Sequence, residues 1–247
     1  MILSKPFSSF QIDSLSKRWA AVLLLLFAWG VSFLFLQFPP GDPDFSQFFY
    51  WTEDLSEAKD YMAYYNAHPL RTVISADNLI YLGSFLLYLA GMHLIGLFYF
   101  TLYVCDARKV PLERAPKIFF TRIWWLILYS ATLMIPGLLG LAIFPYLYLF
   151  AIPAFYIRSG LVLFDKQDVY KATLTSASKT RGHKFSIFLE LLIISMVYTS
   201  IHYVITLTLS AGSTGIFLVE GFLRGYICLV IFRNMGNRFR MITILDK

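Results

Sequence analysis

Glu220 and Arg224 stand one helical turn apart inside an otherwise apolar run. At i,i+4 spacing a carboxylate and a guanidinium share one helix face and can pair. A lone charge at mid-bilayer costs roughly 2.5–3.5 kcal/mol on insertion scales, so an ionisable residue there is a functional candidate by default. Two roles fit the pair. One is a proton- or ion-coupled pathway, or a seat for a polar headgroup. The other is an internal pair that fixes packing. Glu190 lies about a turn and a half inside a second apolar run, placed to reach the cytoplasmic interface or to meet Arg158. Glu220, Arg224 and Glu190 together form the candidate intramembrane polar site.

Other chemistry finds little support. His93 and His202 fall in apolar runs, His68 and His183 in loops. No His-Glu-x-x-His occurs, and no His, Cys and carboxylate cluster has ligand spacing, so no metal site is expected. There is no Gly-x-Ser-x-Gly and no Gly-x-x-x-x-Gly-Lys, so neither a nucleophile elbow nor a nucleotide site is expected. Ser130 and Ser195 read as interhelical hydrogen-bond donors. Cys105 and Cys228 are isolated, which argues against a disulfide. No cofactor and no enzymatic activity are expected. Lys166, Lys171, Lys179, Arg181 and Lys184 could hold anionic headgroups at about 1 kcal/mol each. Ordinary charge bias in cytoplasmic loops predicts the same residues.

Charge is scarce, and it is patterned. Only 15% of the 247 residues are charged, against about 25% in a soluble domain. So few polar groups cannot cover a globular surface, and lipid must solvate much of the chain. Lys5, Lys17 and Arg18 precede the first apolar run. Residues 38–77 are acidic, with Asp42, Asp44, Glu53, Asp54, Glu57, Asp60 and Asp77 against Lys59 and Arg71. Residues 105–122, 157–184 and the tail from Arg233 are basic. This alternation is the positive-inside pattern. It accounts for the net charge of +6 without nucleic acid as a partner.

The elements that position the polar residues follow from hydropathy. The fold class is all-α: a polytopic membrane helix bundle of about six transmembrane helices, with both ends inside. The chain reads as a single membrane domain, 1–247, with spans at about 19–37, 78–104, 119–138, 141–163, 185–209 and 216–233. The first span lacks a small-x-small cleavage site and reads as retained rather than as a signal peptide. Pro39-Pro40-Gly41 should end it. Gly83, Gly91 and Gly96 should let the second span approach a neighbour closely. The extracytoplasmic segment 38–77 is rich in aromatic rings suited to a membrane interface, with a short surface helix expected from Ser56 to Asn66. No charge occurs between Arg122 and Arg158, and both flanks are basic. An even number of crossings follows: a full hairpin turning near Gly137–Ala142, or a re-entrant pair. Asp168 should cap a connector helix from Val169 to about Arg181.

One stretch carries a recognisable arrangement. Ile135-Pro136-Gly137 is followed by an apolar span, then Leu163-Phe164-Asp165-Lys166-Gln167-Asp168, then a short helix bearing Ala172, Ser176 and Thr180, then Gly182 and a new apolar span. This resembles the YciC family of bacterial inner-membrane proteins and the related membrane domain found beside glycerophosphoryl diester phosphodiesterases. The resemblance covers about the C-terminal half, together with the length and six-span layout. It implies the inner membrane and an envelope or lipid-related role, and carries over no catalytic residues. The leading expectation is therefore a non-enzymatic inner-membrane protein in envelope or lipid homeostasis. It would bind membrane lipids or a membrane-protein partner. The alternative is a small-solute or lipid transporter, or the membrane subunit of one. An intramembrane enzyme would need polar side chains converging on one pocket.

Overall fold

Proline and glycine set the first boundary. Helix α1, Arg18–Gln37, stops just before Pro39-Pro40 in the computed structural model, which describes residues 9–11, 18–127, 152–209 and 213–245. Gly41 adopts φ 79°. A Cβ there would lie 2.3 Å from the Asp77 carbonyl oxygen, so only glycine lets the chain pass this close to the next long helix. The Asp42 N–H donates to that same carbonyl at 3.1 Å.

Asn78 fastens the corner. Its amide oxygen accepts from the Ser75 N–H (3.0 Å) and hydroxyl (2.9 Å), closing a capping box. Its NH2 donates to the carbonyls of Asp42 and Asp44 at 3.0 and 2.8 Å. Helix α4, Ala76–Ala107, starts there.

Between α1 and α4, one surface helix was expected from Ser56 to Asn66, and two helices form instead. They are α2, Ser46–Glu57, and α3, Tyr61–Ala67. The Asp60 carboxylate accepts the N–H groups of Met62 and Ala63, both at 3.0 Å, and so nucleates a new N-terminus inside the expected run. Trp51 closes α2 onto α3 through Nε1–H to the His68 carbonyl, 2.8 Å.

At its far end α4 finishes in a Schellman turn. Lys109 takes φ 55°, the Val110 N–H reaches the Cys105 carbonyl at 2.8 Å and the Lys109 N–H reaches Asp106 at 3.1 Å. Residues 115–127 are helical (α5). The hairpin turn expected near 137–142, Ser130, and the choice between a crossing and a re-entrant pair lie outside the described residues. The chain is helical again over 152–155 and enters α6, Arg158–Leu163. Helix α7, Val169–Lys179, begins at Asp168, whose carboxylate accepts the Lys171 N–H at 2.9 Å. Ala172, Ser176 and Thr180 form one fully buried stripe, and the Ser176 hydroxyl bonds the Ala154 carbonyl at 2.8 Å. Then come α8, Lys184–Thr208, and α9, Thr214–Arg240, continued by a π-helical turn to Leu245. Among the described residues there is no strand.

Helix α9 is the centre, packed against α1, α4 and α8. Its contact with α1 runs through two glycines four residues apart. A Cβ at Gly221 would lie 3.0 Å from the Phe33 backbone nitrogen, and one at Gly225 3.0 Å from that of Trp29. This is small-xxx-small packing, in which helix backbones meet directly. The glycines expected to do this on α4 do so only at Gly96, which faces the Phe232 ring; Gly83 and Gly91 have nothing within 4 Å. Among the described residues, four helices are long and apolar enough to cross a membrane: Arg18–Gln37, Ala76–Ala107, Lys184–Thr208 and Thr214–Thr243. Leu23, Phe27 and Leu34 of α1 and Met196, Val204 and Leu207 of α8 are exposed. Outer faces of this kind are compatible with a membrane protein.

Thermal unfolding in detergent tests the α1–α9 contact. Gly225→Ala and Gly221→Ala should each lower the midpoint, by an overpacking cost of about 1–3 kcal/mol. Gly83→Ala should leave it unchanged or raise it, because alanine is the better helix former and meets no neighbour. The same response at all three positions would sink this account of α9 packing.

Candidate functional site

Two polar clusters sit on α9, about three turns apart. The first lies in its N-terminal half. Ser213 caps the helix by accepting the Ile216 N–H at 3.4 Å. One turn in, Trp29 of α1 donates through Nε1 to the Leu218 carbonyl, 2.9 Å, and fixes the rotation of α9. That rotation turns Glu220 inward, 8% exposed, with Arg224 Nη2 donating to its Oε1 at 2.7 Å. From α8, His202 brings Nδ1 to 3.6 Å from the same oxygen, too long for a hydrogen bond. Its ring is stacked on Tyr198, 5.9 Å between centroids.

Arg224 also faces a cavity of about 590 Å³ between α4, α8 and α9. Its walls are mostly apolar, with Phe85 and Met92 from α4, Ile194 from α8 and Ile227 from α9. Ser195 and Tyr198 of α8 also line it. Tyr88 hydrogen-bonds Ser32 of α1 at 3.1 Å, and His93 packs edge-on against Phe232. The pair is thus asymmetric. Arg224 lines the cavity, and Glu220 is not among its lining residues.

The second cluster lies toward the other end. Glu190 was expected at the interface or against Arg158. It is 5% exposed, and a salt bridge joins it to Arg238 of α9. Arg238 grips it with two parallel bonds, Nε to Oε2 at 2.8 Å and Nη2 to Oε1, and Nη2 also donates to Ser186. Asn234 donates to Glu190 Oε2 at 2.7 Å and to the Ser9 hydroxyl at 3.2 Å. The Tyr156 hydroxyl donates to Asn234 Oδ1 at 2.7 Å. The network thus joins α8, α9, the start of α6 and the described N-terminal residues.

Hydropathy alone ends the last span at about 233 and puts Arg233 and Arg238 at the start of a basic tail. Both are buried in a helix that runs to 240. Arg233 is placed over the Tyr103 ring, 5.3 Å from its centroid, a cation–π contact. Arg108, at the end of α4, reaches Asp165 at 3.5 Å and lies over the rings of Phe164 and Phe239. Among the described residues, no three His, Cys, Asp or Glu side chains are grouped to hold a metal.

The clusters differ in how costly they are to break, and thermal unfolding of purified variants measures this. Glu190→Gln should lose about 3–5 kcal/mol, because Arg238 is left charged and buried. Glu220→Gln and Arg224→Gln should each lose less, because the Arg224 side chain is 29% exposed. Glu220→Gln combined with Arg224→Gln should recover much of that loss. Additive losses in the double variant would count against pairing.

No family model, curated protein or solved structure matches the chain, so its function has to be inferred from these two clusters and the cavity.

Proposed function

We propose that the chain is a non-enzymatic, multi-pass protein of the bacterial inner membrane that holds a membrane lipid between α4, α8 and α9. On this reading it crosses six times with both ends cytoplasmic, and it serves envelope or lipid homeostasis. Alternating basic and acidic loops support the orientation. The YciC-like arrangement over 135–192 supports the setting and the lipid-related role.

The observation that carries the lipid reading is the cavity. At about 590 Å³ it falls within the roughly 300–1,000 Å³ of ordinary ligand pockets. Its apolar walls belong to three helices long and apolar enough to cross a bilayer. An apolar cavity of this size bounded by hydrocarbon is filled at lowest cost by an acyl chain, which forfeits no hydrogen bonds on entering. Transport of a lipid or small solute is the second reading. Arg224 on the lining favours it, since an intramembrane cation can mark a substrate path.

Two measurements test this. For orientation, single cysteines are placed at 54, 171 and 240 after Cys105 and Cys228 are replaced. Position 54 should label from outside in intact cells, and 171 and 240 only after permeabilisation. Outside labelling at 171 rejects the six-span orientation. For the ligand, mass spectrometry of the chain purified in mild detergent should find about one lipid retained per chain. Ile194→Trp, which fills the cavity from α8, should remove it without loss of the folded state. No retained lipid in the wild-type chain, or equal retention in Ile194→Trp, rejects the lipid reading.

A further inference from the structure

We infer that the ligand of this cavity is an acidic amphiphile whose carboxylate or phosphate is taken by Arg224 in competition with Glu220. The inference rests on the lipid reading and adds the chemistry of the headgroup.

Among the described residues lining the cavity, Arg224 is the one side chain that is always charged. Its counter-charge does not share that position. Glu220 is 8% exposed, is not among the residues that line the cavity, and is bonded through a single Nη2–Oε1 contact of 2.7 Å. The cavity therefore meets only the cationic half of the pair. A guanidinium has five N–H donors in a planar fork that suits two-point contact with a carboxylate or phosphate. Only Nη2 bonds Glu220, and Nε is shielded with no hydrogen-bond partner. Arg238, by contrast, uses both Nε and Nη2 on one carboxylate. Arg224 commits one nitrogen to its carboxylate where Arg238 commits two.

The rest of the lining selects the tail. It offers aromatic and aliphatic walls, so a neutral acyl chain suits it and a second charge does not. A neutral headgroup can offer Arg224 a hydrogen bond and no opposite charge, and a cationic one would be repelled by it across a low-dielectric gap. An acid answers the donor and adds Coulomb attraction. Glu220 keeps the cation compensated when no acid is bound.

The test uses the full-length chain in mild detergent with two probes of equal tail, hexadecanoate and hexadecanol. The wild-type chain should bind hexadecanoate at least tenfold more tightly than hexadecanol. Glu220→Gln, which removes the competing carboxylate, should tighten hexadecanoate several-fold and leave hexadecanol unchanged. The double variant Glu220→Gln with Arg224→Gln keeps the charge balance and should bind both probes equally. It also corrects for partition into detergent. Phosphatidylglycerol and phosphatidylcholine serve as displacing ligands. Displacement of hexadecanoate by the first alone identifies a phospholipid as the source of the acid, and displacement by neither identifies a single-chain acid. Equal wild-type affinity for hexadecanoate and hexadecanol, both lost in Ile194→Trp, overturns the headgroup assignment and leaves the lipid cavity standing. Binding of neither probe, with Ile194→Trp no different from wild type, overturns both.

Discussion

Every ionised group that α9 takes out of water has to find a counter-charge or a ring within an apolar bundle, and much of the described structure follows from that requirement. A charge moved out of water without a partner costs several kcal/mol. Helix α9 carries Glu220 and Arg224 in its N-terminal half and Arg233 and Arg238 in its C-terminal turns. One pair is answered within the helix and the other two cations by neighbouring helices. Glu220 answers Arg224 along the helix, α8 supplies Glu190 to Arg238, and α4 supplies the Tyr103 ring to Arg233. The partners fix the rotation of α8 and α4 against α9. With α1 the same result comes from shape. Gly221 and Gly225 bring its backbone into contact, and Trp29 completes the fit with a hydrogen bond.

Much of the helical layout was legible, because length, hydropathy and capping are local. The four long apolar helices among the described residues follow from long runs poor in charge. The Asp168 cap follows from residue type ahead of a short helical run, and Ala172, Ser176 and Thr180, i,i+4 apart, share one face of that helix. Failures came where a residue's environment depends on something distant. Hydropathy places Arg238 in the basic tail beyond the last span, and nothing local marks it as buried. Its partner Glu190 lies 48 positions away, and no local pattern joins them. The glycines show a different limit. Spacing in the sequence can mark Gly221 and Gly225 as a close-approach pair, but which glycines of a helix face a neighbour depends on its rotation. Gly83 and Gly91 face open space for that reason. The break between α2 and α3 was missed because Asp60 was counted as a surface charge rather than as a cap.

Of the candidate site, Glu220 and Arg224 were visible because i,i+4 partners lie on one helix. The cavity beside them was not. It is bounded by α4, α8 and α9, and its existence depends on how far three helices stand apart. Sequence patterns record which face of a helix is apolar, and they do not record a gap between two apolar faces.

The two clusters divide α9 into halves with different freedom. Around Glu190, both carboxylate oxygens, two guanidinium nitrogens and both ends of the Asn234 amide are committed, with Ser186 and Tyr156 closing the edges. A network with its donors and acceptors satisfied in low dielectric resists any exchange of partner, because each substitute has to replace several bonds at once. Around Glu220 the pair rests on one direct bond, His202 stands beyond hydrogen-bond distance, and Arg224 borders open volume. Partner exchange there breaks one bond and can form two. The C-terminal half of α9 is therefore built to hold α8, Tyr156 and Ser9 in place. The N-terminal half is where a bound molecule can change what the helix touches without disturbing that anchor.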